Sequence, residues 1–237
     1  MTQIFAPVDL IGALRDLDRM TICRRTVLGT LAATLLTEVA RADVVTNDDM
    51  VLGREDAAAT LIVYSSASCP HCHDFHNSVW VPLKSSYIDP GLLRFVFREA
   101  AAPIAEFSAA AFQLARCNGA DAATYFERVS QIFSRGRDLM RYEPILIIDG
   151  KVSGGGMNLE PLIELGATFG LSADQVVSCI EDDAGTARAE RLLRIEPWRY
   201  EITGLPTLIL NDRMLDSRDR EIATFAGLAR AIDSQVR

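Results

Sequence analysis

Residues 68–75 read Ser-Cys-Pro-His-Cys-His-Asp-Phe, and His76 follows, so all three histidines of the chain stand beside one Cys-x-x-Cys pair. Two chemistries fit that cluster. Cys69 and Cys72 can cycle between dithiol and disulfide: a thiolate is the attacking species in disulfide exchange, and a nearby donor or positive charge raises the thiolate fraction. His71, between the two sulfurs, supplies such a group. Alternatively, Cys69, Cys72, His73 and His76 fall at i, i+3, i+4 and i+7, one helical face, and two thiolates with two imidazoles make a zinc or copper(I) set. Four ligands from adjacent turns of one regular helix rarely surround an ion tetrahedrally, which favours the redox reading. On that reading His73 is a solvated helix residue, His76 is packed or capping, and no metal is expected.

The flanking elements decide how the two sulfurs are presented. Thr60 to Tyr64 is a short apolar strand rich in β-formers, Ser65 to Ser68 form a turn, and a helix begins at Cys69. Pro70 suits the first helical turn, where its missing N–H costs nothing. The unpaired N–H groups and positive dipole end of that helix stabilise a thiolate at Cys69. Cys72, one turn in, faces the core. The expected arrangement is an exposed attacking thiol and a shielded partner, and a stabilised thiolate makes the disulfide a stronger oxidant.

Further along, Phe75, Val79 and Leu83 continue an apolar stripe towards Pro82, where a kink is expected. Residues 91–99 read as a second strand. Residues 104–117, 122–140, 161–171 and 172–196 read as helices, the last with Ser172 as N-cap and Gln175 at the capping-box position. A strand follows Gly204, and residues 222–236 form a closing helix. Strand, helix, strand, several helices, strand, helix is an α/β unit interrupted by a helical insertion. Residues 142–161 interrupt the helical region with apolar residues and Gly154-Gly155-Gly156. Lys151 precedes the glycines, the wrong order for a phosphate loop, so an irregular loop or short hairpin is expected.

With 49 % apolar and 24 % charged residues in 237, the chain can bury a core without disulfides or a metal, so its cysteines need a chemical or compartmental explanation. The net charge is −8 and only Lys84 and Lys151 are lysines; there is no basic stripe, and nucleic-acid binding is not expected. Near the N-terminus, Arg24-Arg25 precede an apolar run from Val27 to Leu36 that ends at Ala40-Arg41-Ala42. That pattern reads as an export signal cleaved after Ala42, by a Sec or twin-arginine route, with Met1 or Met20 as the start; a buried N-terminal helix is the bland alternative. Cleavage removes Cys23 and leaves Cys69, Cys72, Cys117 and Cys179. An even number in an exported chain suggests two disulfides, and three pairings are possible. The Cys-x-x-Cys spacing favours Cys69–Cys72, which leaves Cys117–Cys179; two separate buried thiols are the alternative.

Cys-Pro-His-Cys after a strand, with "RFVFREAA", "LARC", "VVSCIEDD" and "GLPTLIL" downstream, resembles the DsbA-like exported thiol:disulfide oxidoreductases over nearly all of residues 48–237. The resemblance implies a thioredoxin fold with a helical domain inserted: an export segment at 1–42, thioredoxin-fold parts at 43–105 and 196–237, and the insertion at 106–195. It implies that Pro206 is a cis-proline facing the active-site disulfide, with the Leu205 backbone free to pair with an extended substrate; a strand-edge proline is the plain alternative. Cys117 and Cys179 match a second, non-catalytic disulfide of some members. The implied activity is periplasmic: donation of the Cys69–Cys72 disulfide to reduced, unfolded exported proteins. A DsbB-type quinone-coupled membrane oxidase would recycle a monomeric enzyme that needs no cofactor beyond the disulfide. Leu205 departs from the family's usual valine or threonine, and the first strand offers no carboxylate behind the cysteines. An isomerase or reductase of the same fold is the nearest alternative, but isomerases carry an extra N-terminal module for which the stretch between Ala42 and Thr60 leaves no room. An inert binding module would not need both cysteines.

Overall fold

The computed structural model describes residues 45–148, 151–200, 202–216, 219 and 221–236. The stretch 1–42 expected to be an export segment, with Cys23 and the cleavage expected after Ala42, lies outside the described residues.

The chain lays down β1 (Met50–Leu52), β2 (Ala59–Ser65), α1 (Pro70–Leu83) and β3 (Leu93–Glu99). There follow α2 (Ala105–Arg116), α3 (Ala122–Arg135), the paired short strands β4 (Arg141–Tyr142), β5 (Leu146–Ile148), β6 (Lys151–Ser153) and β7 (Met157–Asn158), then α4 (Glu160–Thr168), α5 (Ala173–Ile180) and α6 (Asp183–Tyr200). β8 (Thr207–Leu210), β9 (Arg213–Met214) and α7 (Phe225–Asp233) complete it. The main sheet runs β1-β3-β2-β8-β9, with β2 and β3 parallel and the other pairs antiparallel. Parallel β2 and β3 need a crossover, and α1 supplies it. This is a thioredoxin fold in which α2 to α6 stand between β3 and β8.

β2 is the central strand and is covered on both faces, which is why its sequence is apolar throughout rather than alternating. Leu61 and Val63 point into the larger core with Phe95, Phe97, Leu208 and Leu210, against the helices. Ile62 and Tyr64 point the other way with Val96 and Ile209, where Val51, Ile202 and Leu205 cover them. An aromatic group of Trp80, Phe95, Phe97, Phe126 and Phe133 binds the sheet to α1 and α3.

Several elements differ from the sequence reading, among them the short strand β9 and the closing helix, which spans Phe225–Asp233 rather than 222–236. β1 was not expected: its three residues are too few to show a period, and pairing to Phe95–Phe97 makes it a strand. The helix expected over 122–140 stops at Arg135, because Gly136 takes φ +50° and a tight 3-10 turn follows. The single helix expected over 172–196 is two. Asp182 breaks it by accepting the Gly185 N–H at 2.7 Å and so capping α6. The Ser172–Gln175 capping box of α5 is formed in both directions. Gly166 lets α4 and α5 close, since a Cβ there would lie 2.3 Å from Val176. The glycine-rich stretch is a pair of small hairpins, β4–β7 enclosing β5–β6. Among the described residues no helix is long and apolar enough to cross a membrane.

Candidate active site

Cys69 is the N-cap of α1 in extended conformation, and Pro70 opens the helix. Its sulfur lies 3.6 Å from the Leu205 carbonyl oxygen, to which it donates when protonated. The Leu205–Pro206 peptide, like Ala102–Pro103, is cis. Cys72 lies three residues on, fully out of solvent, with the Ser66 N–H at 3.5 Å from its sulfur. Cys69 and Cys72 form a dithiol pair in this structure.

The two thiols are pushed in opposite directions. The Cys72 thiol donating to Cys69, together with the main-chain N–H groups of Cys72 and His71, holds Cys69 down at about 6, against the partial burial that raises it. The charge of the His71 imidazole is the smallest of these influences, so the backbone of the helix start contributes more than the side chain that the sequence singled out. Burial, and then its thiol's hydrogen bond to Cys69, pushes Cys72 far up. At neutral pH the pair therefore holds its proton on Cys72 and its negative charge on Cys69.

Cys69 is only 7 % exposed, a correction to the expected open thiol. The loops before β8 and after β3 crowd over it, and its access is through a cleft of about 550 Å³. The cleft runs past Cys69, Pro70 and His71, between an Ala100-Ala101-Ala102-Pro103 wall and the Ile202–Leu205 loop, with Tyr64 and Glu99 at its back. Its walls are mostly apolar. Tyr64 is fixed there by Arg98, whose buried guanidinium donates to the Tyr64 hydroxyl at 2.7 Å and, through Nε and Nη2, to both carboxylate oxygens of Asp49 at 2.9 and 3.0 Å. Glu99 pairs in register with Ser65 and accepts from Arg116 at 2.6 Å and from the Tyr125 hydroxyl at 2.9 Å.

The histidine cluster resolves into three separate jobs. His71 is exposed and lines the cleft. His73, expected in solvent, is 6 % exposed, and its Nε2 bonds the Ala67 carbonyl at 2.6 Å. The reason is Gly136: the turn after α3 packs against the imidazole so closely that a Cβ there would lie 3.0 Å from Nδ1. His76 is packed as expected, stacked on Trp80 and bonded through Nε2 to Ser130 at 2.9 Å. Burial lowers the pKa of both, that of His76 to about 3. The helical face that could have formed a metal set thus sends its imidazoles to Ala67 and α3. Among the described residues no group of three or more His, Cys, Asp or Glu side chains is arranged to hold a metal ion.

Cys117, at the end of α2, and Cys179, in α5, form a disulfide across 62 residues of sequence. They stand apart from the cleft and clamp two helices of the insertion. Reading the sequence missed Glu99, the Ala100–Pro103 wall and the buried serines of the active-site turn. Ser65 to Ser68 read as a turn, since hydroxyl residues favour turns, and nothing local announces that their side chains are buried.

A family model described as thioredoxin matches residues 45–234. A Rickettsia conorii protein provisionally named protein-disulfide oxidoreductase is 31 % identical over 143 residues, covering 60 % of this chain and 46 % of that one. A Rickettsia prowazekii protein of the same provisional name is 26 % identical over 165 residues, covering 70 % and 55 %. The chain spans about half the length of the curated relatives it matches. Among solved structures, Wolbachia pipientis alpha-DsbA1 superposes with a TM-score of 0.66 at 20 % identity, covering 81 % of this chain and 92 % of that one. BdbD from Bacillus subtilis superposes with a TM-score of 0.62 at 16 % identity, covering 80 % and 93 %. These likenesses share the fold, and the family match covers most of the sequence: the chain belongs to the thioredoxin family.

Proposed function

We propose that this member of the thioredoxin family is a DsbA-like protein-disulfide oxidoreductase that donates its Cys69–Cys72 disulfide to reduced, unfolded proteins exported to the periplasm. The observation that carries the reading is the opposite displacement of two thiols at one helix start, beside an open apolar cleft. A client thiolate attacks the Cys69 sulfur, which is the one that borders the cleft. A client–Cys69 bond forms, the Cys69–Cys72 bond breaks, and its electron pair goes to Cys72. A second client thiolate then attacks the client sulfur of this mixed disulfide, and Cys69 leaves. A thiolate held near 6 is a good leaving group at neutral pH, so the second step runs towards client oxidation. Two electrons have moved from client to enzyme, and a DsbB-type quinone-coupled membrane oxidase takes them on.

The Leu205 backbone beside Pro206 is the pairing edge for an extended client, and the apolar cleft suits the side chains an unfolded chain exposes. The dithiol is the whole redox apparatus, with no cofactor. Cys117–Cys179 is structural. The experiment is acid-quenched trapping of oxidised enzyme mixed with a reduced, unfolded client, followed by peptide mapping. The expected result is a transient client adduct at Cys69 and none at Cys72. Adducts at both positions, or none with the client still reduced, would refute it.

A further inference from the structure

Behind the cleft three serine side chains close a ring inside the core. Ser66 and Ser68 come from the turn between β2 and α1, and Ser108 comes from the first turn of α2, where the insertion begins. The hydroxyls of Ser66 and Ser108 lie 2.8 Å apart, Ser108 donates to Ser68 at 2.8 Å, and Ser68 and Ser66 are 3.1 Å apart. Main-chain groups feed the same ring. The Ser68 N–H reaches the hydroxyls of Ser66 and Ser108, each at 3.2 Å, and the Ile104 N–H reaches that of Ser68 at 3.0 Å. Ser66 and Ser108 are wholly out of solvent. Buried hydroxyls cost stability unless each is partnered, and here each is.

What the ring fixes is the main chain of Ser66. The Ser66 N–H points at Cys72 Sγ, and its carbonyl accepts the Cys69 N–H at 3.2 Å. One residue therefore touches both halves of the redox pair. We infer that the Ser66–Ser68–Ser108 ring is a positioning device for the buried sulfur: it holds the Ser66 amide on Cys72 so that Cys72 can depart as a thiolate when a thiol attacks Cys69. The inference rests on the oxidoreductase reading and deepens it. In that step the incoming thiolate bonds to Cys69 and the electron pair of the broken bond lands on Cys72, which then takes up the proton that the incoming thiol released. The charge appears on a sulfur that burial makes a poor thiolate. The Ser65 hydroxyl, and after it the Ser66 amide, are the hydrogen-bond donors that favour it there; of the two, the amide is the one whose position the ring fixes. Ser108 is the corner that the insertion contributes, so the ring also ties the insertion to the chemistry.

The test uses the full chain as Ser68→Ala, Ser108→Ala and Ser108→Thr, with two rates measured separately. Reduction of the oxidised enzyme by glutathione requires Cys72 to leave. Attack of reduced Cys69 on an aromatic disulfide, dithiobis(nitrobenzoate), followed in its first phase, neither makes nor breaks a covalent bond at Cys72 and puts no charge there. The alanine variants should slow the first rate about tenfold, equivalent to about 1.4 kcal/mol, and leave the second within about twofold. Ser108→Thr, which keeps a hydroxyl, should restore the glutathione rate. Equal slowing of both rates, or an unchanged glutathione rate in the alanine variants, overturns the inference. Ser68→Ala, at the corner nearest the turn, decides the matter if Ser108→Ala does not fold. Failure of the oxidase reading would look different: the wild-type protein would leave clients reduced while the glutathione rate still responded to the ring.

Discussion

Replacing His71 in two ways separates its side chain from its backbone. Cys69 is held down from 9.0 to about 6. A thiol made that much more acidic prefers its thiolate by roughly 4 kcal/mol, or roughly 90 mV for this two-electron couple. That is an upper bound, because the sulfur faces an open cleft and solvent screens part of the effect. The preference comes from the Cys72 thiol and from the N–H groups of Cys72 and His71 before it comes from the imidazole. His71→Leu keeps the amide and loses only the smallest influence, so it should lower the potential by less than about 30 mV. His71→Pro deletes the amide itself, one of the first-turn N–H groups that no intrahelical carbonyl accepts. One charge-assisted hydrogen bond contributes roughly 1.5–3 kcal/mol, so His71→Pro should lower the potential by roughly 30–60 mV. The assay is equilibration with graded glutathione buffers, with alkylation and mass spectrometry to count free thiols. A drop in His71→Leu that equals or exceeds the drop in His71→Pro would refute the assignment to the backbone.

Three further outcomes follow from the geometry. His76 is buried neutral, with its pKa lowered from 6.5 to about 3, and His73 is lowered too. The unfolded chain therefore binds protons that the folded chain does not as pH falls from 6.5 towards 3. Stability is fully present above that window and should drop through it, by at most about 1.4 kcal/mol per histidine for each pH step of one; urea unfolding at several pH values would show it, and His76→Phe should flatten the dependence. Asp49→Ala takes both carboxylate acceptors away from the buried Arg98 guanidinium, at a site where the Asp49 side chain is also buried. It should cost roughly 3–5 kcal/mol in denaturant unfolding, where a loss below about 1 kcal/mol would show that the pair does not hold the cleft's back wall. Removing Cys117–Cys179, which closes 62 residues, should cost up to about 4 kcal/mol. It should leave the Cys69 alkylation profile in place, and a large change in that profile would contradict a purely structural disulfide.

The redox pair was legible in the sequence because Cys-Pro-His-Cys after an apolar strand is a local pattern, and local patterns fix a helix start. The Ser172 capping box was legible for the same reason. What failed was burial. His73 reads as an exposed helix residue until the turn at Gly136, which is distant in sequence, packs onto it. Ser66 and Ser68 read only as turn residues, and their burial depends on Ser108 arriving from α2. Glu99 ends an apolar strand and gives no sign that the ladder sets it beside Ser65 at the back of the cleft. The break at Asp182 was hidden because the helix period continues through it, and only the cap on Gly185 marks the new start. Most of these depend on a partner far along the chain, which no short window of residues contains.

The central claim is that Cys69–Cys72 is an oxidising disulfide, and its equilibrium potential against glutathione tests that most directly. With the thiolate favoured at Cys69, the reduced form is the stabilised one, and the potential should lie above about −200 mV. A value near −270 mV, roughly that of a reducing thioredoxin, would contradict the account and make the protein a reductase.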